Sequence, residues 1–578
     1  MPANALDRQL TELEDSRYRF GRHEAARVVK LLNRLDAARF TGTASLIRFH
    51  EALLFLRAFP QAPAVVRATE RILSRFHKKV EALRKAGADM DAFDTFEVSG
   101  IAGTAMEDTL SFDVARWLIS TNRLPGKVEV AWENYAPGRD LGTIGPRFIP
   151  LLEDDAYVEA DTPWRRWLET AMGKKDPEHP GQVAAWLMQR FERLPLSARQ
   201  KAELYESLRV PLRWNLGNSA ISRTRNWKPV PSVFYHSEPL INRGQVALAE
   251  ELARPPVQLT RISRTQGDKI MDLIREVMLV RYRELYGTTL GDPASVVRAD
   301  LGRGEASRGV SIYLWSLPPD RRLPLRAYVA GLTLKNGVPI NYIEAIGLCE
   351  WMEVGFNTFY TFRGGEAGWI YAQVLRCLCH LMGTTCVSVY PYQLGHDNEE
   401  AIESGAFWFY RKLGFRPGRA NLQKLAEREE RRIAAGVKYR TPARTLRRLA
   451  SGHVFYELPG SERGAWDSFS TRNLGLRVNR RMAREFQGDS VRIRQESARS
   501  VARILGIKPD SWSALEKASF ENFALVLALI PDLSSWMREQ KDALVEIMST
   551  KAKPDEMTYL HLTQRHEKLR DALLKLGS

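Results

Sequence analysis

The sequence predicts an α+β protein in which a central mixed β-sheet domain lies between mainly helical N- and C-terminal regions. Three observations carry that reading. Apolar residues recur at helical spacing toward both ends of the chain, short β-branched and aromatic runs crowd between residues 257 and 418, and Asn336-Gly337 joins two of those runs as a tight-hairpin signal. The expected organisation is a mainly helical region at 1–256 with a short mixed segment near 121–162, a sheet domain at 257–418, and a basic helical region at 419–578.

From residue 5 to about 120 the pattern is helical: Val66, Ile72, Leu73, Phe76, Val80 and Leu83 recur at spacings of three and four before "AGAD". The stretches "AARVVKLLNRL" and "SLIRFHEALLFLRAF" behave alike, which points to a helical bundle or layer. Glycine and proline then interrupt the chain near 121–162, and helices resume through "PWRRWLETAM" and "QVAAWLMQRF". Segment 213–243 interleaves arginines with Trp214, Trp227, Phe234 and Tyr235. Such a stretch could stack a nucleic-acid strand; the preferred reading is a long loop pinned to a domain surface by its aromatics.

The sheet domain opens with a strand, "VQLTRIS", and a helix whose start carries a capping box, Ser263 with Gln266. Strands follow at 310–317, 326–334, 338–348 and 353–362, then "RGGEAG" at 363–368, the helix "WIYAQVLRCLCHLM" and the strand "TTCVSVYPYQ". A last helix lies in "NEEAIESGAFWFYRKLGFRP", at 398–417, and stops at Gly414 with Arg411 and Lys412 in its final turn. It crowds Phe407, Trp408, Phe409 and Tyr410. Four aromatics cover more of the circumference than one buried stripe needs, so one of them is expected to face a groove or a ligand.

Segments 419–450 and 472–500 are strongly basic, and the chain ends in amphipathic helices. With 85 Lys+Arg against 69 Asp+Glu, the formal charge is +16 and the pI about 9.6. That balance suits acidic partners, nucleic acid among them through the basic C-terminal segments, or simply a well-hydrated basic surface. No run approaches the roughly 18 apolar residues of a membrane span, and no leader is evident at the N-terminus, so a cytoplasmic protein without a membrane partner is expected. Cys349, Cys377, Cys379 and Cys386 form no CxxC pair, and Cys377 and Cys379 point to opposite sides of a helix. Buried thiols are expected rather than a metal site completed by His380. No Ser/His/Asp or Cys/His set offers a nucleophile.

A glycine-rich turn between a strand and a helix gathers backbone N–H groups at the positive end of the helix dipole, which suits a phosphate. A tight turn needing positive φ would use the same residues. Together, the order of elements and the two motifs resemble the GCN5-related N-acetyltransferase (GNAT) family over residues 257–418. The helix matches that family's pattern at Ala406, Phe409, Tyr410, Lys412, Gly414 and Phe415, with Glu403 where asparagine is common. In the turn, Gly365 and Ala367 fit if Phe362 takes the place of Gln or Arg; starting from Arg363 puts Glu366 at the first glycine.

The resemblance implies an acyl-CoA-dependent N-acyltransferase using acetyl-CoA or another acyl-CoA as co-substrate and an amine acceptor that no motif identifies. It implies that Phe362, Arg363, Gly364, Gly365, Glu366, Ala367 and Gly368 hold the pyrophosphate. Phe407 or Trp408, with Phe409, would pack on the sheet while Tyr410 faces the thiol and protonates it as it leaves. Glu344 is the first choice of base, followed by Glu353 and His396; Asp397 and Glu399 are assigned to the helix cap. Two alternatives stay open: a non-catalytic scaffold of this fold binding RNA or protein, which the Glu366 and Glu403 departures favour, and an aminoacyl-tRNA-dependent transferase of related fold, whose tRNA the +16 charge would suit.

Overall fold

The computed structural model describes residues 3–578 except 122, 125, 136–139, 152–163, 176–180, 284–287 and 437. Much of the glycine- and proline-rich stretch near 121–162 therefore lies outside the described residues. The N-terminal layer is built from α1 (Ala3–Ser16), α2 (Arg22–Ala37), α3 (Thr43–Ala58), α4 (Pro63–Leu73) and α5 (Phe76–Lys85). Most of these bury a single stripe, such as Val28, Leu31, Leu32 and Leu35 of α2. Helix α3 is different: Ala52 to Ala58 are all buried, because it lies between the other helices and the large sheet.

The expected helical run to about 120 is broken by a strand, β1 (Ala105–Thr109), ahead of α6 (Phe112–Ser120). Its partner β3 (Pro211–Asn215) is far along the chain, and β2 (Glu129–Val130) completes a three-stranded sheet in the order β1-β3-β2. The pairing is non-local and Ala105–Thr109 shows no apolar alternation, so local pattern could not reveal it. Helices α7 (Gln182–Glu192) and α8 (Ala198–Ser207) pack with α6 around Phe112, Phe191, Tyr205 and Trp214, a core of its own.

The large sheet has nine strands in the order β11-β12-β10-β9-β8-β7-β6-β5-β4. They are β4 (Gln258–Arg261), β5 (Val297–Asp300), β6 (Val310–Ser316), β7 (Ala327–Lys335), β8 (Val338–Leu348), β9 (Trp351–Thr358), β10 (Cys386–Val389), β11 (Arg416–Pro417) and β12 (Val454–Glu457). Helix α9 (Arg264–Tyr282) follows β4 and carries the expected capping box. At the β7–β8 hairpin both Asn336 and Gly337 have positive φ, 49° and 81°. The loop beyond β3 is pinned there. Trp227 Nε1 donates to the Asn336 carbonyl at 2.9 Å and the Lys228 N–H to that of Gly337 at 2.9 Å. A Cβ at Gly337 would overlap the Lys228 carbonyl, so glycine is required twice over.

Sequence pattern missed β5 and β12, which are short, and β12 enters the sheet from beyond residue 418. Helix α10 (Ala367–Met382) links β9 to β10, the one parallel pair among the described residues. The expected single helix within 398–417 is two: α11 (Glu399–Ser404) and α12 (Ala406–Lys412), separated by Gly405 at φ 67°. Its N-cap is Asn398, whose side chain accepts from the Ala401 N–H at 3.2 Å, in place of Asp397 or Glu399.

Helix α13 (Ala420–Ala435) follows, and the chain ends in α14 (Thr471–Phe486), α15 (Ser490–Leu505), α16 (Ala514–Leu527), α17 (Arg538–Thr550), α18 (Glu556–Gln564) and α19 (Glu567–Gly577). The Gln564 amide donates to the carbonyls of Cys349 at 3.0 Å and Met382 at 2.7 Å, and Leu560 lies against Gly347 of β8. The C-terminal helices thus share the core of the large sheet. The molecule is an α+β protein with flanking helical regions. Among the described residues no helix is long and apolar enough to cross a membrane.

Candidate functional site

Strands β9 and β10 pair only from Trp351 to Glu353 on β9 and from Cys386 to Ser388 on β10. Beyond Glu353, β9 runs on to Thr358 without β10 beside it, so the parallel pair opens like a fork. The fork opens onto a cleft of about 390 Å³, closed by α11, α12 and the start of α10. Gln393 bridges the opening. Its Oε1 accepts from the Phe356 N–H at 3.2 Å and from the Tyr410 hydroxyl at 3.3 Å.

The aromatic run of α12 divides as the cleft requires. Phe407 is fully buried in the core, and Trp408 turns outward to donate to Thr441 Oγ1 at 3.1 Å. Phe409 and Tyr410 line the cleft. Tyr410 packs edge-on to Tyr371 of α10 at 5.7 Å and to Phe415 at 5.7 Å, and burial pushes its hydroxyl well above the usual tyrosine range. A tyrosine so held stays protonated.

Two cations stand at the other end. Arg243 lies 5.8 Å over the Phe409 ring and beside Gly368, with its pKa lowered by burial. Arg363 stacks on Tyr360 at 3.8 Å, donates to the Thr358 carbonyl at 3.2 Å and pairs with Glu400. Arg243, Gln393 and Glu400 carried no signal in the sequence reading. Arg243 is distant in sequence and Gln393 sits in a short helical turn, so only the folded chain brings them to Tyr410.

The glycine turn is placed differently. Of its residues, Arg363 and Ala367 line the cleft, while Phe362 is core, 1% exposed. None of Gly364, Gly365 and Gly368 has positive φ. Their lack of a side chain serves close approach instead. A Cβ at Gly364 would overlap the Tyr18 hydroxyl, one at Gly365 would come within 2.6 Å of Phe59 Cζ, and one at Gly368 within 3.3 Å of Arg243 Cα.

Glu366, the N-cap of α10, is 0% exposed. Its carboxylate accepts from Lys335 Nζ at 3.0 Å, Arg308 Nε at 2.8 Å and the Ile241 N–H at 3.2 Å. Burial alone would push this carboxyl up, but Lys335 and Arg308 more than offset it and hold it below the ordinary range. Burial pulls Lys335 down to about 8 against the opposing effect of Glu366, and burial with the nearby Lys335 pulls His236 down to about 3. His236 Nδ1 lies 3.3 Å from Arg308 and so acts as acceptor.

Glu344 lies behind the cleft. On β8 it stands opposite Gly355, and its carboxylate accepts from the Tyr328 hydroxyl and from Thr288 Oγ1 at 3.3 Å; burial raises its pKa. Tyr342, two residues earlier on the same face, reaches the cleft in its place and accepts from Asn357 Nδ2 at 3.2 Å. Glu353 is held by His453 at 3.1 Å, and His396 is an exposed side chain beside Asp397. None of these three candidate bases is among the lining residues.

The four cysteines are unpaired thiols, three of them buried, and no group of three or more metal-ligating side chains gathers among the described residues. A larger groove, about 970 Å³, runs between the end of α2 and α5. Its basic rim of Arg39, Arg75, Lys78 and Lys79 surrounds Asp36, which Arg75 and Lys79 already engage, and it offers no proton donor of the Tyr410 kind. The cleft at the fork is the better candidate.

Comparison with protein families, with characterised proteins and with solved structures finds no match to this chain.

Proposed function

We propose that the protein is an acyltransferase that takes an acyl group from a thioester, acetyl-CoA or a longer acyl-CoA, and passes it to an amine. The observation that supports this most is the Tyr410 hydroxyl, held protonated and aimed along Gln393 into the fork between β9 and β10. The residues present suit the thioester end of such a donor: an apolar wall of Phe356 and Phe409, amides from Asn357 and Gln393, and cations at Arg243 and Arg363. They do not suit a pyrophosphate on the glycine turn, which protein atoms already cover.

In the transfer the amine nitrogen bonds to the acyl carbon, the carbon–sulfur bond breaks, and Tyr410 gives its proton to the departing sulfur. The amine's own proton passes to water in the open cleft, from which Tyr410 is restored. Calorimetric titration with acetyl-CoA tests the reading. Saturable heat is expected, and no heat at millimolar ligand would remove it.

A second, separable property is inferred for the outer face of α14 and α15. Arg472, Arg480, Arg492 and Arg503 are exposed there, and no described acidic side chain lies within ion-pairing distance of any of them. Unpaired arginines on adjoining helices, without aromatics for stacking, suit contact with the phosphate backbone of duplex nucleic acid.

A further inference from the structure

We infer that the junction of the N-terminal layer, the loop beyond β3 and the end of α9 holds a small monovalent inorganic anion, of the chloride or bromide kind, at Arg223 and Arg281. The site is independent of the acyl-transfer reaction. Its ground is a buried charge that the protein's own side chains leave unmatched.

Arg281 lies in the last turn of α9 and Arg223 in the loop beyond β3, and each is 4% exposed. Arg281 stacks 4.3 Å over the Phe359 ring, and its Nη1 donates to the Val277 carbonyl, one helical turn back, at 3.4 Å. Its Nε has no partner among the protein's described atoms. Arg223 spends its Nη atoms on the carbonyls of Glu97 and Phe96, and its Nε is likewise without a protein partner. A buried donor left unpaired is costly, and more so on a charged group.

Charge balance sets the sign and size of what is missing. Glu51 of α3 is the one carboxylate among the described residues whose charge reaches both guanidinium groups; it lies 3.6 Å from Arg223 and outside ion-pairing distance of Arg281. Against the effect of burial, His50 and Arg223 hold Glu51 at about 2, so it is ionised, whereas burial lowers His50 and leaves it neutral. The other buried or half-buried charges around the junction are matched: Arg57 by Glu70, Arg283 by Asp108 and Arg363 by Glu400. Arg225 and Glu97 reach solvent, and burial keeps Tyr282 protonated. Arg281 remains a cation at neutral pH, although burial and then the Arg223 charge pull it down to about 9. Two guanidinium charges thus face one carboxylate, and the carbonyl end of α9 adds only about half a negative charge. A single monovalent anion restores the balance. Sulfate or phosphate would overshoot it and lose more hydration on burial.

Thermal unfolding of the full chain tests the site, with sodium gluconate exchanged for sodium chloride or bromide at constant ionic strength. The parent is expected to gain about 1 °C along a saturating curve. Arg281→Met keeps an unbranched side chain over Phe359 and removes the charge. It is expected to melt at or above the parent in gluconate and to show no response to chloride. Equal melting of the parent in gluconate and chloride, or a chloride response of Arg281→Met equal to the parent's, would overturn the inference. Should Arg281→Met fail to fold, crystals of the parent grown in bromide decide. Anomalous scattering from a bromide against Arg281 Nε supports the site, and bromide at surface positions alone overturns it.

Discussion

The turn at 362–368 and the fork between β9 and β10 flank the same first turn of α10, yet they are filled by different things. At the turn, Tyr18 and Phe59 from the N-terminal layer press on Gly364 and Gly365, and the buried Glu366 carboxylate at the N-cap position binds Lys335, Arg308 and the Ile241 N–H. At the fork one side chain, Gln393, reaches across and leaves a cleft beside it. Glycines in a turn permit close approach, but they do not say what approaches. A helix N-terminus likewise attracts an anion without specifying whether that anion is a ligand or a carboxylate of the same chain. The difference between the two places therefore lies in the tertiary partners.

The largest effect is expected at the fork. Tyr410→Phe keeps the ring, its contacts with Tyr371 and Phe415, and the fold, but removes the proton donor. Turnover with an acyl thioester and an amine should fall by about 100- to 10,000-fold with donor affinity retained. A steady-state assay that finds turnover within about twofold of the parent would return Tyr410 to a packing role.

At the turn the expected effect is on stability. Gly365→Val would drive a methyl against Phe59 and the Phe362 carbonyl, 2.6 and 3.0 Å from the position of a Cβ. Overpacking of this kind costs about 1–3 kcal/mol. Thermal unfolding should shift accordingly while the fraction still folded binds acyl thioester as the parent does. Weakened binding at an unchanged melting temperature would mean that the turn meets the ligand after all.

What the sequence could and could not reveal follows the same division. The Asn336-Gly337 hairpin, the Ser263–Gln266 capping box and the order of strand, helix, meander, turn, helix and strand all depend on neighbours within a few residues, and all are present. Strand β1 needs β3, about a hundred residues later, and β12 reaches back past β11 to pair with β10. No local pattern reports such partners. At the site, Tyr410 stood out because four aromatics were too many for one helix face. Arg243 and Gln393 are single polar residues whose meaning comes only from the side chains around them, and the burial of Glu366 depends on Lys335 and Arg308 from the β6–β7 region.

The buried cluster at the turn should also give the protein a distinct acid response. His236 in the folded chain has its pKa lowered to about 3, well below the value of an exposed histidine. The unfolded chain binds a proton near pH 6.5 and the folded chain does not. His236 therefore contributes full stability above that pH, and the contribution is lost as pH falls from about 6.5 toward 3, at up to about 1.4 kcal/mol per pH unit. Urea unfolding across that window should show His236→Gln with a shallower decline than the parent. An identical decline in both would place the acid sensitivity elsewhere, for instance at Glu51, which His50 and Arg223 hold at about 2 against the effect of burial.

The smallest effect concerns the basic segments, where some arginines are engaged within the chain and others are not. In 419–450 some charges are matched within the chain: Glu430 takes Arg411, Glu429 takes Arg432 and Tyr439, and Glu399 takes Arg447 through two hydrogen bonds at 2.9 and 2.7 Å. On α14 and α15 the exposed Arg480 and Arg492 have no acidic partner within ion-pairing distance among the described residues. A gel-shift series with duplex DNA from low to physiological salt should separate them. Reversal of Arg447 to glutamate is expected to leave the shift unchanged. Arg480→Glu with Arg492→Glu should weaken it, and should flatten its salt dependence by about one counterion for each phosphate contact removed. Exposed pairs such as Arg447–Glu399 add little to stability, so neither variant should move the melting temperature appreciably. Loss of the shift on reversing Arg447 would mean that pairing inside the chain does not withdraw an arginine from nucleic acid, and no shift by the parent at low salt would assign the whole basic surface to solvation.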